Sequence, residues 1–160
     1  SDEHGHISED PVNRIQMMDK RQKKVEQILT LVPKNDQAVA YGKSDVCIVS
    51  WGSPKGPILD AIEMHRNEGR EIGFIDIKLL HPFPTNYIKS LLKDSSIVID
   101  IEANMTGQLA SLIRENLLRD PDYYVLKYTG RPMTCTEIFD SLKKILEKKS
   151  EKKQVLTYGD

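Results

Sequence analysis

From Gln37 onward, short apolar runs alternate with helical periods, and this alternation constrains the fold more than any other feature of the chain. Runs rich in β-branched and aromatic residues read as strands. Four are clear, at residues 46–51, 72–77, 97–101 and 123–128. Strands separated by helix-length segments pair in parallel and are covered by those helices. A weaker run at 38–41 lies too close to the next strand for a crossover, so it is expected to run antiparallel to that strand as an edge. Helices are expected near residues 57–68, 85–93, 108–119 and 136–148. Thr85 is positioned to cap the second, and Thr134 with Glu137 to form a capping box on the last. The reading is an α/β domain over residues 36–148, three layers of α/β/α around a five-stranded mixed sheet.

Two segments flank it. Asp10 followed by Pro11 is a helix-start signal, and Val12, Ile15, Met18, Val25, Ile28, Leu29 and Val32 recur at mostly helical spacing until Pro33. No apolar residue falls between Met18 and Val25, so the stripe is thin and residues 1–35 read as a connector. Residues 149–160 form a Lys-rich tail, expected to fray after Lys148. With 23 Lys and Arg against 24 Asp and Glu, the net charge of −1 excludes a general nucleic-acid binder, which needs a clustered cationic excess. No run approaches the ~18 apolar residues of a membrane helix, and the acidic first ten residues contain no signal core, so a soluble, cytoplasmic chain is expected. Cys47 and Cys135 stand far apart with no C-x-x-C, so neither a cysteine-ligated cluster nor a zinc site is expected. His4 and His6 are positioned to bind a metal only adventitiously, and no functional metal site is assigned.

In such a sheet, ligands and partners meet the loops at the carboxyl ends of the parallel strands. Gly52, Ser53, Lys55 and Gly56 surround Pro54 in a loop that opens a helix, where exposed N–H groups could hold an anion. The loop lacks both phosphate-binding fingerprints, and a plain tight turn competes with that reading. His81 stands before a doubled proline motif, either as a base lacking a visible orienting acid or as a side chain packed at a rigid corner, and is also an interface candidate. Glu102, Asn104, Thr106, Gly107 and Gln108 end one strand and begin a helix. Glu102 is suited to accept N–H groups from a facing loop, Asn104 to cap the helix, and Gly107 to admit another backbone, so the segment reads as an assembly surface. Helix capping alone is the competing account. Arg131, between Gly130 and Pro132, presents a guanidinium suited to a carboxylate or phosphate, or merely solvated in a turn. No Ser/His/Asp triad or H-x-x-H spacing is present, so no catalytic residue is assigned.

Taken in order, residues 2–11, Trp51-Gly52-Ser53, Leu80-His81-Pro82-Phe83-Pro84, Glu102-Ala103-Asn104-x-Thr106-Gly107-Gln108-Leu109 and Tyr128-Thr129-Gly130-Arg131-Pro132 resemble the carboxyl-terminal part of the alpha subunit of 2-oxoacid:ferredoxin oxidoreductases. The resemblance runs from about Asp2 to Leu146. It implies a fold similar to the carboxyl-terminal domain of transketolase, and a role in oxidative decarboxylation of a 2-oxoacid, 2-oxoglutarate or a broader range, to an acyl-coenzyme A with reduction of ferredoxin. It further implies a holoenzyme with thiamine diphosphate, magnesium, an iron–sulfur cluster and coenzyme A, none held by this segment, which alone is expected to be inactive. The implied partners are the amino-terminal domain of the same alpha subunit, a beta subunit and, through the holoenzyme, ferredoxin, with a homodimer open and neither nucleic acid nor membrane expected. Nothing here corresponds to the family's thiamine-diphosphate-fold domain, and His81 stands where many relatives are expected to carry an aromatic ring. The alternative is a small α/β module that binds coenzyme A or another phosphate anion at the strand-end loops.

Overall fold

The computed structural model describes residues 5–7 and 9–157. Residues 2–4 and Ser8 of the opening motif, and with them His4, therefore lie outside the described residues. The described chain divides into two compact units at Pro33.

The first unit is dominated by α1 (Pro11–Leu31), started by Asp10, whose carboxylate accepts from the backbone N–H groups of Val12 and Asn13. None of its residues is buried, and Val12, Ile15 and Met18 are all more than half exposed.

In the second unit, a short α2 (Lys34–Gln37) leads into β1 (Ala38–Tyr41) and β2 (Val46–Ser50). There follow α3 (Lys55–Asn67), β3 (Gly73–Ile77), α4 (Thr85–Leu91), β4 (Ile97–Glu102), α5 (Gln108–Leu117), β5 (Tyr123–Leu126), α6 (Cys135–Leu146) and β6 (Lys153–Val155). The sheet order is β1-β3-β2-β4-β5-β6, with only β1 antiparallel to its neighbour. Alternation along the strands sends Ile48, Phe74, Ile99 and Ile101 to one face, under Ile58 and Ile62 of α3 and Ile138 and Leu142 of α6. Val49, Ile75, Ile77 and Val98 face the other way, against Ile88 of α4 and Leu109 and Ile113 of α5. This is the expected three-layer arrangement.

Three expectations are corrected. The sheet has six strands, because part of the tail expected to fray pairs with β5, placing Val155 opposite Leu126 and Gln154 opposite Val125. The Lys run concealed it: an edge strand tolerates charged side chains along its solvent side, and three residues offer little periodicity. β1 is an antiparallel edge, but it pairs with β3 and not with the adjacent β2. Thr85 does not cap α4; Pro84 occupies the cap position, and the Thr85 hydroxyl donates to Phe83 and Asn116. The capping box of Thr134 and Glu137 on α6 forms as expected.

His65 shows how tightly α3 and α6 meet. Its ring stacks on Phe139 with centroids 4.3 Å apart, Nε2 lies 3.1 Å from the Phe139 carbonyl, and Nδ1 has no partner. Burial lowers its pKa below the ordinary 6.5. The unfolded chain therefore takes up this proton first, and stability falls as the pH drops below about 6.5. Urea unfolding between pH 5 and 8 should show that loss in the parent chain and a smaller one in His65→Leu. In α1, amide exchange should be faster by at least an order of magnitude than in Val46–Ser50, since no side chain of the helix is buried. Equal protection would place the helix in a cooperative core.

Candidate functional site

β2 is flanked by β3 and β4, and the helices that follow β2 and β4 lie in different layers. The carboxyl ends of β2 and β4 consequently bound a crevice, the topological switch point where such sheets receive ligands or partners. Two bonds close its floor. The Ser50 hydroxyl donates to the Ile101 carbonyl at 2.6 Å, and the Trp51 indole N–H donates to Glu102 Oε2 at 2.9 Å.

Glu102 is fully buried. Its carboxylate accepts from four N–H donors: Trp51 Nε1, Asn104 Nδ2 at 2.7 Å, and the backbone of Leu109 and Ala110 in the first turn of α5. Those two amides belong to the orphan donors of a helix start, so one carboxylate satisfies them and meets the positive end of the helix. Asn104 completes the turn by accepting from Thr106 N and Gly107 N. Gly107 is left-handed, with φ +66, and an added Cβ would meet Ala110, Tyr124 and Asp100 at 3.6–3.7 Å. The segment is therefore an internally knotted loop, which corrects one expectation. Glu102 does not face outward as an interface group; its hydrogen-bonding capacity is consumed by its own helix and neighbouring strand. Gly107 is buried as well, and admits α5 and Tyr124, not a foreign backbone. Thr106 and Gln108 are exposed and Asn104 is half-buried.

The other candidates separate in the same way. Lys55 points to Asp76 of β3 at 2.9 Å and lies over the Tyr41 ring. Tyr41 and then Asp76 raise its pKa above the usual lysine range. Gly52, Ser53 and Gly56 remain exposed around the buried Pro54. His81 is exposed and not packed into a corner, while Phe83 takes the buried position of that loop. Arg131 is exposed in the loop after β5, whose base is held by Lys127. That lysine is fully buried and donates to the Pro132 carbonyl and to both oxygens of Glu137, each at 2.8 Å. The structure does not bring His81 or Arg131 into contact with Glu102.

Lys127 and Asp100 were not singled out from the sequence. Asp100 lies two residues before Glu102 on a central strand, and strand alternation alone places both on one face. Lys127 falls inside the expected strand 123–128, where nothing in the pattern marks its burial. Above the Glu102 knot lies an apolar groove of about 350 Å³ lined by Trp51, Leu80, Leu109 and Leu112, with Thr106 and Gln108 on its rim. A larger open groove of about 510 Å³ runs between α6 and β6, with lysines and carboxylates interspersed.

Residues 44–138 match the family described as pyruvate:ferredoxin oxidoreductase core domain II. The chain belongs to this family. It is 41% identical, over 99% of its length, to the alpha subunit of 2-oxoacid:ferredoxin oxidoreductase 2 from Aeropyrum pernix. It spans only 25% of the length of that relative. Among solved structures, 2-oxoglutarate:ferredoxin oxidoreductase from Magnetococcus marinus, with 2-oxoglutarate, coenzyme A and succinyl-CoA bound, superposes with a TM-score of 0.77 at 27% identity. The match covers 88% of this chain and 24% of that one. A split-gene transketolase shares the fold, with a TM-score of 0.57 at 20% identity over 72% of this chain and 43% of that one.

Cys47 is buried in the core, where burial pushes its thiol up to about 11, and Cys135 opens α6. Among the described residues no three His, Cys, Asp or Glu side chains converge to hold a metal, and no helix is long and apolar enough to cross a membrane.

Replacing Glu102 with Ala strands four donors and should destabilise the chain by about 3 kcal/mol. Gln108→Ala should stay within about 0.5 kcal/mol. Urea melts of the two variants check this contrast.

Proposed function

We propose that this chain is a non-catalytic assembly domain of a 2-oxoacid:ferredoxin oxidoreductase alpha subunit. The holoenzyme in this reading oxidatively decarboxylates a 2-oxoacid to an acyl-coenzyme A and reduces ferredoxin, in the cytoplasm. Its thiamine diphosphate, magnesium, iron–sulfur cluster and coenzyme A are held by other parts of the assembly. One observation carries the reading: the strongest polar groups at the strand ends are consumed internally. Glu102 serves α5, Lys127 serves Glu137 and Pro132, and Lys55 serves Asp76. What remains at the switch point is an apolar groove with a neutral rim. Interface cores have that character, depleted in charge and containing aromatic anchors, whereas general acid–base chemistry needs a titratable group directed at substrate. The partners are the amino-terminal part of the same subunit and the beta subunit, with self-association as a further contact.

The alternative is a module that binds coenzyme A or another phosphate anion at the strand-end loops, with Gly52, Ser53, Lys55, Gly56 and Arg131 as its candidate residues; a relative has been solved with coenzyme A bound. Calorimetric titration of the chain with coenzyme A should give no saturable heat, and binding would favour that module.

Assayed alone with 2-oxoglutarate or pyruvate, coenzyme A and a viologen dye, the chain should show no turnover above the cofactor background. In the full enzyme, Thr106→Arg with Gln108→Arg should weaken subunit association at least tenfold by sedimentation, while single-turnover chemistry in the assembled fraction is preserved. Unchanged association with a hundredfold slower chemical step would make the loop catalytic and overturn the assignment.

A further inference from the structure

Asp100 is the least expected group in the molecule. It lies at 0% exposure in the centre of the sheet, and neither carboxyl oxygen has a hydrogen-bond donor. Buried carboxyl groups without partners are rare, because an ionised one loses its hydration with nothing in return. The surroundings offer no cation. On β4 itself the neighbour on the same face is Glu102, two residues along the strand. Across β2 the residue in register is Val49, and across β5 it is Tyr124, whose hydroxyl donates to Asp120 and accepts from Arg114. Gly107, just ahead of α5, lies beside it, and Arg114, the basic residue of α5, is tied to Asp120 at 2.7 Å. α4 presents Ile88 to this face.

The two carboxyl groups differ in their partners. Both oxygens of Glu102 are engaged as acceptors of N–H donors, so Glu102 is the negative member. Asp100 has no donor to accept from, and its one way to satisfy an oxygen is to carry a proton and donate it.

We propose that Asp100 is a positioning residue, held as the neutral acid, whose O–H donates to the Glu102 carboxylate as the fifth donor anchoring Trp51, the 103–108 loop and the start of α5. The pair carries one negative charge and one proton. Gly107 borders the pair, where a Cβ would make ordinary contact 3.7 Å from Asp100 Oδ2, and its left-handed φ of +66 is what calls for glycine. Burial first, and Glu102 second, push Asp100 up to about 9, which agrees with the geometry. The pair lies within this chain's own strand end and needs no partner to form.

The native value lies above the unfolded one of 3.8, so the native chain keeps a proton that the unfolded chain releases from about pH 4 upward. The contribution is fully present below that value and is lost progressively as pH rises to about 9. An Asn at this position donates an N–H to Glu102 at every pH and removes the dependence.

The test uses the 160-residue chain with carboxyl-labelled aspartate. At pH 7 one aspartate carboxyl resonance should sit at the protonated position, titrate near 9 and vanish in Asp100→Asn. If every aspartate is ionised at pH 7, the proposal fails. The chain's one tryptophan supplies a second reading. Between pH 6 and 9.5 the emission of Trp51 should shift in the parent and stay flat in Asp100→Asn, whose melting temperature should gain on the parent's steadily over that range. Identical pH courses for the two proteins would overturn the proposal, since a merely space-filling Asp100 predicts them.

Discussion

The carboxylate of Glu102 is the interaction on which the functional edge depends. It ends the central strand at the place where the chain sends α3 to one face of the sheet and α5 to the other, so the backbone on either side diverges. A diverging pair of strand ends leaves N–H groups without ladder partners, and buried N–H groups must be satisfied somewhere. A single side chain gathers the indole of β2's successor, the amide of the following turn and the first turn of α5 into one negative centre. Trp51 thereby becomes the wall of a groove held from below.

Much of this architecture was readable. The alternation of β-branched runs with helical periods placed β1 to β5 and all four crossover helices, because a parallel sheet leaves few other ways to bury Ile48, Phe74, Ile99 and Val125 together. The capping signals at Asp10 and Thr134 worked because they act within three residues. Thr85 is the local failure, its cap position being taken by Pro84, and the others were long-range. That Ala38 pairs with Ile77 instead of β2 depends on the order in which crossovers return, and that Gln154 lies beside Val125 depends on α6 delivering a three-residue strand to an open edge. The site was half legible for the same reason. The motif from Glu102 to Gln108 was found, but the direction of the Glu102 carboxylate was misjudged, since strand alternation gives the face of a residue and not whether a helix terminus lies over it.

Lys127 repeats the theme on the other side of the sheet. Its ammonium is fully buried, yet it is matched by Glu137, which also closes the capping box of α6, and by the carbonyl of Pro132. Removing either charge from such a pair leaves the other uncompensated, which is the costly case. The loop carrying Arg131 is thus tied at its base to the helix that follows it, as the 103–108 loop is tied to α5. In both places an ionic or charge-assisted contact is used to hold a turn against its own helix.

The groove lined by Trp51, Leu80, Leu109 and Leu112 contains no charged residue on wall or rim. Encounter between proteins is accelerated by complementary fields, and those fields are screened at the ionic strength of a cell. A surface without them gains nothing from steering and loses nothing to salt. In the proposed assembly a neighbour seated there would be held by shape and dehydration and would leave slowly, so the contact suits a permanent neighbour better than a partner that must come and go.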